Sequence, residues 1–341
     1  AASRPEFGDY QANGVMAAAK RAGQNPREIA QQVIDALDLT GIAQDLSIAG
    51  PGFINITLAP GFIAQANTTP KHSAEPYCVV VDYSGPNLAK EMHVGHLRST
   101  IIGDCIARVL ETLGHKVIRQ NHVGDWGTQF GMLLTFMAER GAASESLADL
   151  ENFYREAKQR FDDDEDFQEH SRGAVVQLQS GDADMLVQWQ KFIDISMSHC
   201  QGLYDRLGID LTAADIDGES SYNDDLKNTI DHLAEQGLLT ESEGAQCVFL
   251  DEFKSKKGEP QPVIVQKSDG GFLYSTSDLA CLRRRIGDFK ADRVLYFVDA
   301  RQALHFKQVF AVAAAAGISS SSVELAHMPF GTMLGKDNKP F

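Results

Sequence analysis

The stretch from Val79 to Gly114 constrains the fold more than any other part of the chain. Val79, Val80 and Val81 make a short β-branched run of the kind buried in a parallel sheet, and Ser84-Gly85-Pro86-Asn87 ends it with turn chemistry. Apolar residues then recur at helical spacing, at Leu97, Ile101, Ile102, Cys105, Ile106, Val109, Leu110 and Leu113. This spacing predicts one buried helical face, with Gly114 as a natural stop. A second strand is expected within His115 to Val123, around Val117 and Ile118, running into Gly124-Asp125. The sum is a βαβ unit, which needs a parallel sheet and leaves ligand-facing loops at the strand ends. His93-Val94-Gly95-His96 falls where the crossover helix starts.

The segments around this unit suggest how the remainder is divided. Residues 1–72 read as a small α/β module, with helices over Ala17 to Gly23 and Pro26 to Asp38 and a turn and strand over Gly50 to Leu58. Ala66 to Pro76 reads as a linker. Beyond Gly131 the pattern turns helical over Ser146 to Phe161, Glu165 to Leu178 and Asp182 to Leu207, so a helical insertion is expected at about 130–207. Strands return at Val248 to Leu250 and Val263 to Gln266, and a turn at Asp269-Gly270-Gly271 leads to an extended Phe272 to Tyr274, a hairpin insertion at about 250–271. Val294 to Val298 followed by a helix from Gln302 to Ala316 makes a second strand-loop-helix corner. Two such corners bracket a site. The expected fold is therefore α/β, a parallel-sheet domain over 73–341 behind the N-terminal module.

Composition excludes several classes. The formal net charge of −16 argues against a broadly basic nucleic-acid surface, though not against a local one. The run Asp162-Asp163-Asp164-Glu165-Asp166 reads as a solvated helix start, since consecutive carboxylates do not converge on one ion without a scaffold. Cys78, Cys105, Cys200, Cys247 and Cys281 form no C-x-x-C pair, which favours a reducing cytoplasm and argues against a structural zinc site; no metal is expected. No run reaches membrane-spanning length and no secretory signal pattern is present. The missing initiator Met and the loop-like ending at Lys339-Pro340-Phe341 suggest a portion of something longer.

The motifs narrow the chemistry. G-x-G-x-x-G is absent, and Gly331 to Lys336 is one residue short of a phosphate loop, with Asp337 where Ser or Thr would meet magnesium. His93-x-Gly95-His96 is a different device. It sets two imidazoles on one side of a first helical turn, a glycine lets a ligand approach the backbone, and the helix N-terminus favours phosphate. Lys90 adds a cation one turn earlier.

Ser84 to Thr100, reading SGPNLAKEMHVGHLRST, closely resembles the first signature of the class I aminoacyl-tRNA synthetases in its arginyl form, as found in bacteria. Asn121 to Gly131, NHVGDWGTQFG, and the Met333-Leu334-Gly335-Lys336 context are similar to the same family, so the resemblance covers about Phe7 to the end. It implies a Rossmann-like catalytic domain that activates L-arginine with ATP and transfers the arginyl group to tRNA(Arg), with ATP entering as its Mg2+ complex. The H-x-G-H core alone is shared with other nucleotidyl transferases.

The resemblance also nominates residues. Lys90, His93 and His96 would stabilise the phosphoryl group in transit, with Ser84, Gly95, His305, Met333 and Leu334 completing the ATP site. Asp82, Asn87, Glu219, Tyr274, Asp278 and Gln302 would surround the amino acid, because a planar guanidinium fork calls for carboxylates. Read singly, Asp82 also suits a strand end, Glu219 a helix dipole and Asp278 a helix cap. Such a polar pocket discriminates without a second hydrolytic site, so no editing domain is expected. Phe53 and Asn55 match positions that touch a tRNA loop base in the family, although Phe53 equally suits a strand core. The usual second signature, Lys-Met-Ser-Lys-Ser, is not matched here; the family comparison favours Lys90 over Lys336 for its role. A helical anticodon-reading domain would lie beyond Phe341, and the protein is expected to be a cytoplasmic monomer. The competing readings are another class I synthetase or small nucleotidyl transferase, distinguishable by exchange across amino acids, and a synthetase-like RNA-binding protein without activity, against which the intact Lys90, His93 and His96 speak.

Overall fold

The computed structural model describes residues 1–66, 70–88, 90–140, 150–255, 258–268, 270–331, 334–336 and 339, without the side chains of Ala66, Thr128 and Leu150. The expected linker residues Asn67 to Thr69, the helix start at Ser146, and Asp269 lie outside them. The chain divides into two compact units, Ala1–Lys71 and His72–Phe341.

In the first unit, β1 (Tyr10–Ala12), β2 (Ala43–Ala49) and β3 (Phe53–Leu58) form an antiparallel sheet with β3 central, accompanied by α1 (Val15–Ala22), α2 (Pro26–Ala36) and α3 (Pro60–Ala66). Strand alternation sends Ile54 and Ile56 into a small core with Val15, Ala30, Leu46 and Ile48. Phe53 and Asn55 therefore fall on the opposite face of β3. Phe53 is half-buried, and the Asn55 amide oxygen accepts a hydrogen bond from Gln11 Nε2 at 2.8 Å.

In the second unit, β4 (Cys78–Asp82), α4 (Val94–Thr112) and β5 (Lys116–Gln120) build the expected βαβ unit; β4 and β5 pair in parallel with Val80 opposite Ile118. Helices α5 (Thr128–Arg140), α6 (Leu150–Asp163), α7 (Glu165–Gln179) and α8 (Ala183–Leu207) follow. After α9 (Asn223–Glu235) comes a separate antiparallel sheet of β6 (Leu239–Ser242), β7 (Ala245–Val248) and β8 (Val263–Gln266). It thus begins before the position where the sequence suggested a hairpin. Then α10 (Tyr274–Gly287), β9 (Arg293–Tyr296), α11 (Ala303–Ala315) and β10 (Glu324–His327) complete a four-stranded parallel sheet ordered β10-β9-β4-β5. The expected extended Phe272 to Tyr274 is corrected: Phe272 makes one bridge to Gln266, and Tyr274 opens α10.

Valine repetition in β4 reflects cover on both faces. Val79 and Val81 point into one core with Leu295 and Phe297, while Val80 points into another with Val294 and Tyr296.

The buried face of α4 is not the one the sequence predicts. Ile101 and Val109 are 46% and 47% exposed, Ile102 and Cys105 are exposed too, and Ile106 and Leu110 only partly packed. The helix instead buries Ser99, Thr100, Gly103, Asp104 and Ala107. Short polar side chains make the docking contacts: Ser99 Oγ accepts the Ser84 N–H at 2.9 Å, and Asp104 accepts the Tyr83 hydroxyl at 2.9 Å. Gly103 is required by the close approach, because a Cβ there would lie 2.2 Å from Tyr83 Cβ. Hydrogen bonding of buried polar groups and backbone proximity outweigh the apolar stripe here.

Candidate active site

A cavity of about 480 Å3 opens at the carboxyl ends of β4 and β9 and receives the N-termini of α4, α10 and α11. Of the residues nominated from sequence, Asp82, Ser84, His93, Gly95, His96, Glu219, Tyr274, Asp278, Gln302 and His305 line it. These span more than 220 positions, and the parallel topology is what brings them to one place.

The two imidazoles are held by the start of α4. His93 is the N-cap, and its Nδ1 accepts the Gly95 N–H at 3.0 Å; His96 Nδ1 accepts the His93 N–H at 3.1 Å. Their ring centroids are 4.0 Å apart. With both Nδ1 atoms accepting, a neutral ring must carry its proton on Nε2, leaving an N–H for a ligand. Burial, then the neighbouring His93, lowers the His96 pKa to about 4. His96 is thus a neutral hydrogen-bond donor near pH 7 and not a cation.

Ser84 adopts φ +73, a left-handed conformation unusual for a non-glycine residue. Three contacts hold it there: the bond to Ser99, one from Thr100 Oγ1 to its Oγ at 3.0 Å, and one between its Oγ and the Tyr204 hydroxyl at 2.7 Å. Its hydroxyl is accordingly committed to the protein. Strain held by surrounding contacts is a mark of functional turns.

The carboxylates around the cavity differ in their partners. Asp82 is 5% exposed and lies 2.6 Å from Nη2 of the fully buried Arg285, so its charge is already answered within the fold. Asp278 sits one helical turn after Tyr274 on α10 and bonds His305 Nε2 at 2.5 Å. Burial opposes charge on His305, but the bond to Asp278 and its charge outweigh it and raise the pKa. Asp299 holds Arg301 through an Nε contact at 2.9 Å. Glu219 has no basic partner among the described residues. Burial first, then the charges of Asp125 and Asp278, push its carboxyl up to about 8. One acidic position in the cavity therefore lacks a cation among the described residues.

Several nominated residues lie elsewhere. Lys90 does not line the cavity; its ammonium stands 4.4 Å from the ring centroid of Tyr154 on α6. Asn87 is half-buried, forms a parallel bridge with Gly124, and is also outside the lining. Leu334 is 51% exposed and Lys336 exposed, neither at the cavity, while Met333 lies outside the described residues. Phe53 and Asn55 belong to the first unit. Sequence reasoning missed Arg301, His122, Ser99 and Phe330, all of which line the cavity. Arg301 stood in the recognised corner Asp299 to Gln302, so a cation beside that turn was a readable signal; Phe330 carried none.

With this geometry in view, comparison with known proteins is informative. The family model described as tRNA synthetases class I (R), catalytic domain, matches residues 60–341, and that of the arginyl tRNA synthetase N terminal domain matches residues 1–58. The arginine–tRNA ligase of Laribacter hongkongensis is 57% identical over 351 residues, covering 100% of this chain and 61% of the relative; that of Hahella chejuensis is 58% identical over 352 residues, covering 99% and 61%. The chain thus spans about three-fifths of the length of these curated relatives. Among solved structures, arginyl-tRNA synthetase from Plasmodium falciparum superposes with a TM-score of 0.75 at 32% identity, over 97% of this chain and 60% of that one. On these matches the chain belongs to the arginyl-tRNA synthetase family.

Proposed function

We propose that the protein carrying this chain is an arginine–tRNA ligase, which joins L-arginine to ATP as arginyl-adenylate with release of pyrophosphate and then esterifies tRNA(Arg). The observation that carries the reading is Glu219, a half-buried carboxyl with no cation beside it among the described residues, in the same cavity as the His93-His96 helix start. A guanidinium supplies the missing charge and a planar set of donors to Glu219 and Asp278. A carboxylate oxygen of the bound arginine attacks the α-phosphorus, and the bond to the bridging oxygen breaks as pyrophosphate leaves. The Nε2–H groups of His93 and His96 donate to the phosphoryl oxygens that gain charge, a stabilisation that works best preorganised. In the second step a ribose hydroxyl of the terminal adenosine attacks the acyl carbon and AMP leaves. Mg2+ enters with ATP.

Lys90 serves the phosphates only if its loop leaves Tyr154. In the full-length protein, Lys90→Ala is expected to lower kcat for tRNA charging by about 100-fold, within the range for loss of one charge stabiliser, and Lys336→Ala by less than about threefold. Initial rates of charging compare them; the reverse ranking would move the role to Lys336. The first unit is proposed to contact tRNA through Phe53, whose face of β3 is free of the core, while the Asn55 amide retains its NH2 group for a base. The setting is proposed to be cytoplasmic and the protein a monomer; among the described residues no helix is long and apolar enough to cross a membrane.

A further inference from the structure

We infer that Asp125 is a positioning residue for substrate recognition, its carboxylate holding Ser220 and so seating Glu219 at the cavity; the assignment rests on the proposed reading of Glu219 as the ligand of a cationic side chain. Asp125 does not line the cavity and is 5% exposed. Its Oδ1 accepts the Ser220 N–H at 2.9 Å, and its Oδ2 accepts the Ser220 hydroxyl. The Glu219 N–H is bound in turn by the Val123 carbonyl at 3.1 Å. Residues 121–125 and 215–220 are thus laced together, beginning with the bridge of Asn121 to Ile216.

Gly218 shows how closely the parts fit. Its φ of −71 is ordinary for any residue, so the backbone does not call for glycine. Space does: a Cβ there would lie 2.3 Å from Asp125 Oδ2. Both neighbours of Glu219 are therefore shaped around one buried carboxylate. The carbonyl of Asp125 accepts Trp189 Nε1–H at 2.7 Å, which anchors the same residue to α8 in the helical insertion.

Asp125 also acts by charge. The groups acting electrostatically on Glu219 are Asp125 and Asp278, with Tyr274 coupled to it; His122 faces Asp125. Two anions beside Glu219 make it hard to ionise until a cation arrives.

The test uses steady-state charging by the full-length protein, with separate KM values for arginine and ATP. Gly218→Ala and Asp125→Ala are expected to raise the arginine KM at least tenfold and leave the ATP KM within twofold. Asp125→Asn keeps the shape and the oxygen that accepts the Ser220 N–H, replaces the other oxygen with an NH2 group that can donate to the Ser220 hydroxyl, and removes the charge. It is expected to hold the arginine KM near that of the parent at pH 8 and to shift the KM–pH profile toward lower pH by about one unit. That shift decides the matter if either alanine variant fails to fold. A raised arginine KM in Glu219→Gln beside unchanged values and profile in the Asp125 and Gly218 variants overturns the inference alone. An unchanged KM in Glu219→Gln overturns the reading of Glu219 and the inference with it.

Discussion

Glu219→Gln in the full-length protein is expected to raise the KM for arginine at pH 8 by about two to four orders of magnitude, the scale of about 3–5 kcal/mol for removing one partner of an ion pair sheltered from water. Its dependence on pH is equally diagnostic. The ligand-free carboxyl is held up to about 8, so near pH 6 most molecules carry it protonated. A guanidinium binds the ionised form, and binding therefore releases a proton. The arginine KM of the parent should fall as pH rises from 6 to 8, by up to about tenfold per unit, and level off above. The Gln variant, with nothing to ionise there, should show a flat profile over that window. The same shift has the opposite consequence for folding. Between the ordinary glutamate pKa and about 8 the native state binds the proton that the unfolded chain has lost, so this group makes the ligand-free fold less stable as pH rises. Added arginine should reverse that loss. Thermal melts with and without arginine at pH 6 and 8 measure both.

The second large effect concerns stability. Arg285 is fully buried, 2.6 Å from Asp82, with its guanidinium carbon 5.2 Å from the ring centroid of Tyr296. The contact is one of charge: none of the three guanidinium nitrogens has a hydrogen-bond partner among the described residues. Replacing Arg285 with Met leaves the Asp82 carboxylate buried without a cation. The expected cost is about 3–5 kcal/mol, read as a lower denaturation midpoint in urea. Asp82→Asn alone strands the guanidinium and should cost a similar amount. The double variant should recover most of the loss, since a neutral pair carries no unanswered charge. Additive losses in the cycle would show that the two groups are not coupled. Asp82 lines the cavity and already has this cation within the fold.

The parallel sheet was legible because β4 and β9 are buried on both faces and so read as continuous apolar runs. β10 was not: Glu324-Leu325-Ala326-His327 has neither alternation nor β-branched residues, and it is a strand because its edge pairs with β9. The face of α4 was misread because the side chains it buries are short and polar, chosen by hydrogen bonds to Ser84 and Tyr83 that only the fold creates. Glu219, Asp278, His93 and His96 could be nominated from motif resemblance, and the sheet brings all four to one cavity. What no pattern carried was the state of charge. That Asp82 is answered by Arg285, Asp278 by His305, and Glu219 by no cation among the described residues depends on which cations the topology folds back against each acid. Lys90, nominated by its place before the histidines and by the family resemblance, shows the converse, since its side chain lies over Tyr154.

The most direct test of the central claim, that this cavity couples a cationic side chain to phosphoryl transfer, is amino-acid-dependent exchange of pyrophosphate into ATP by the full-length protein, with and without tRNA(Arg), comparing arginine, lysine and citrulline. Citrulline keeps the length of arginine and loses its charge. The account predicts exchange with arginine, with citrulline and lysine lower by about 10⁴-fold, as expected where a buried polar group would be left unpaired. No exchange with arginine in either condition, or equal exchange with citrulline, would contradict it.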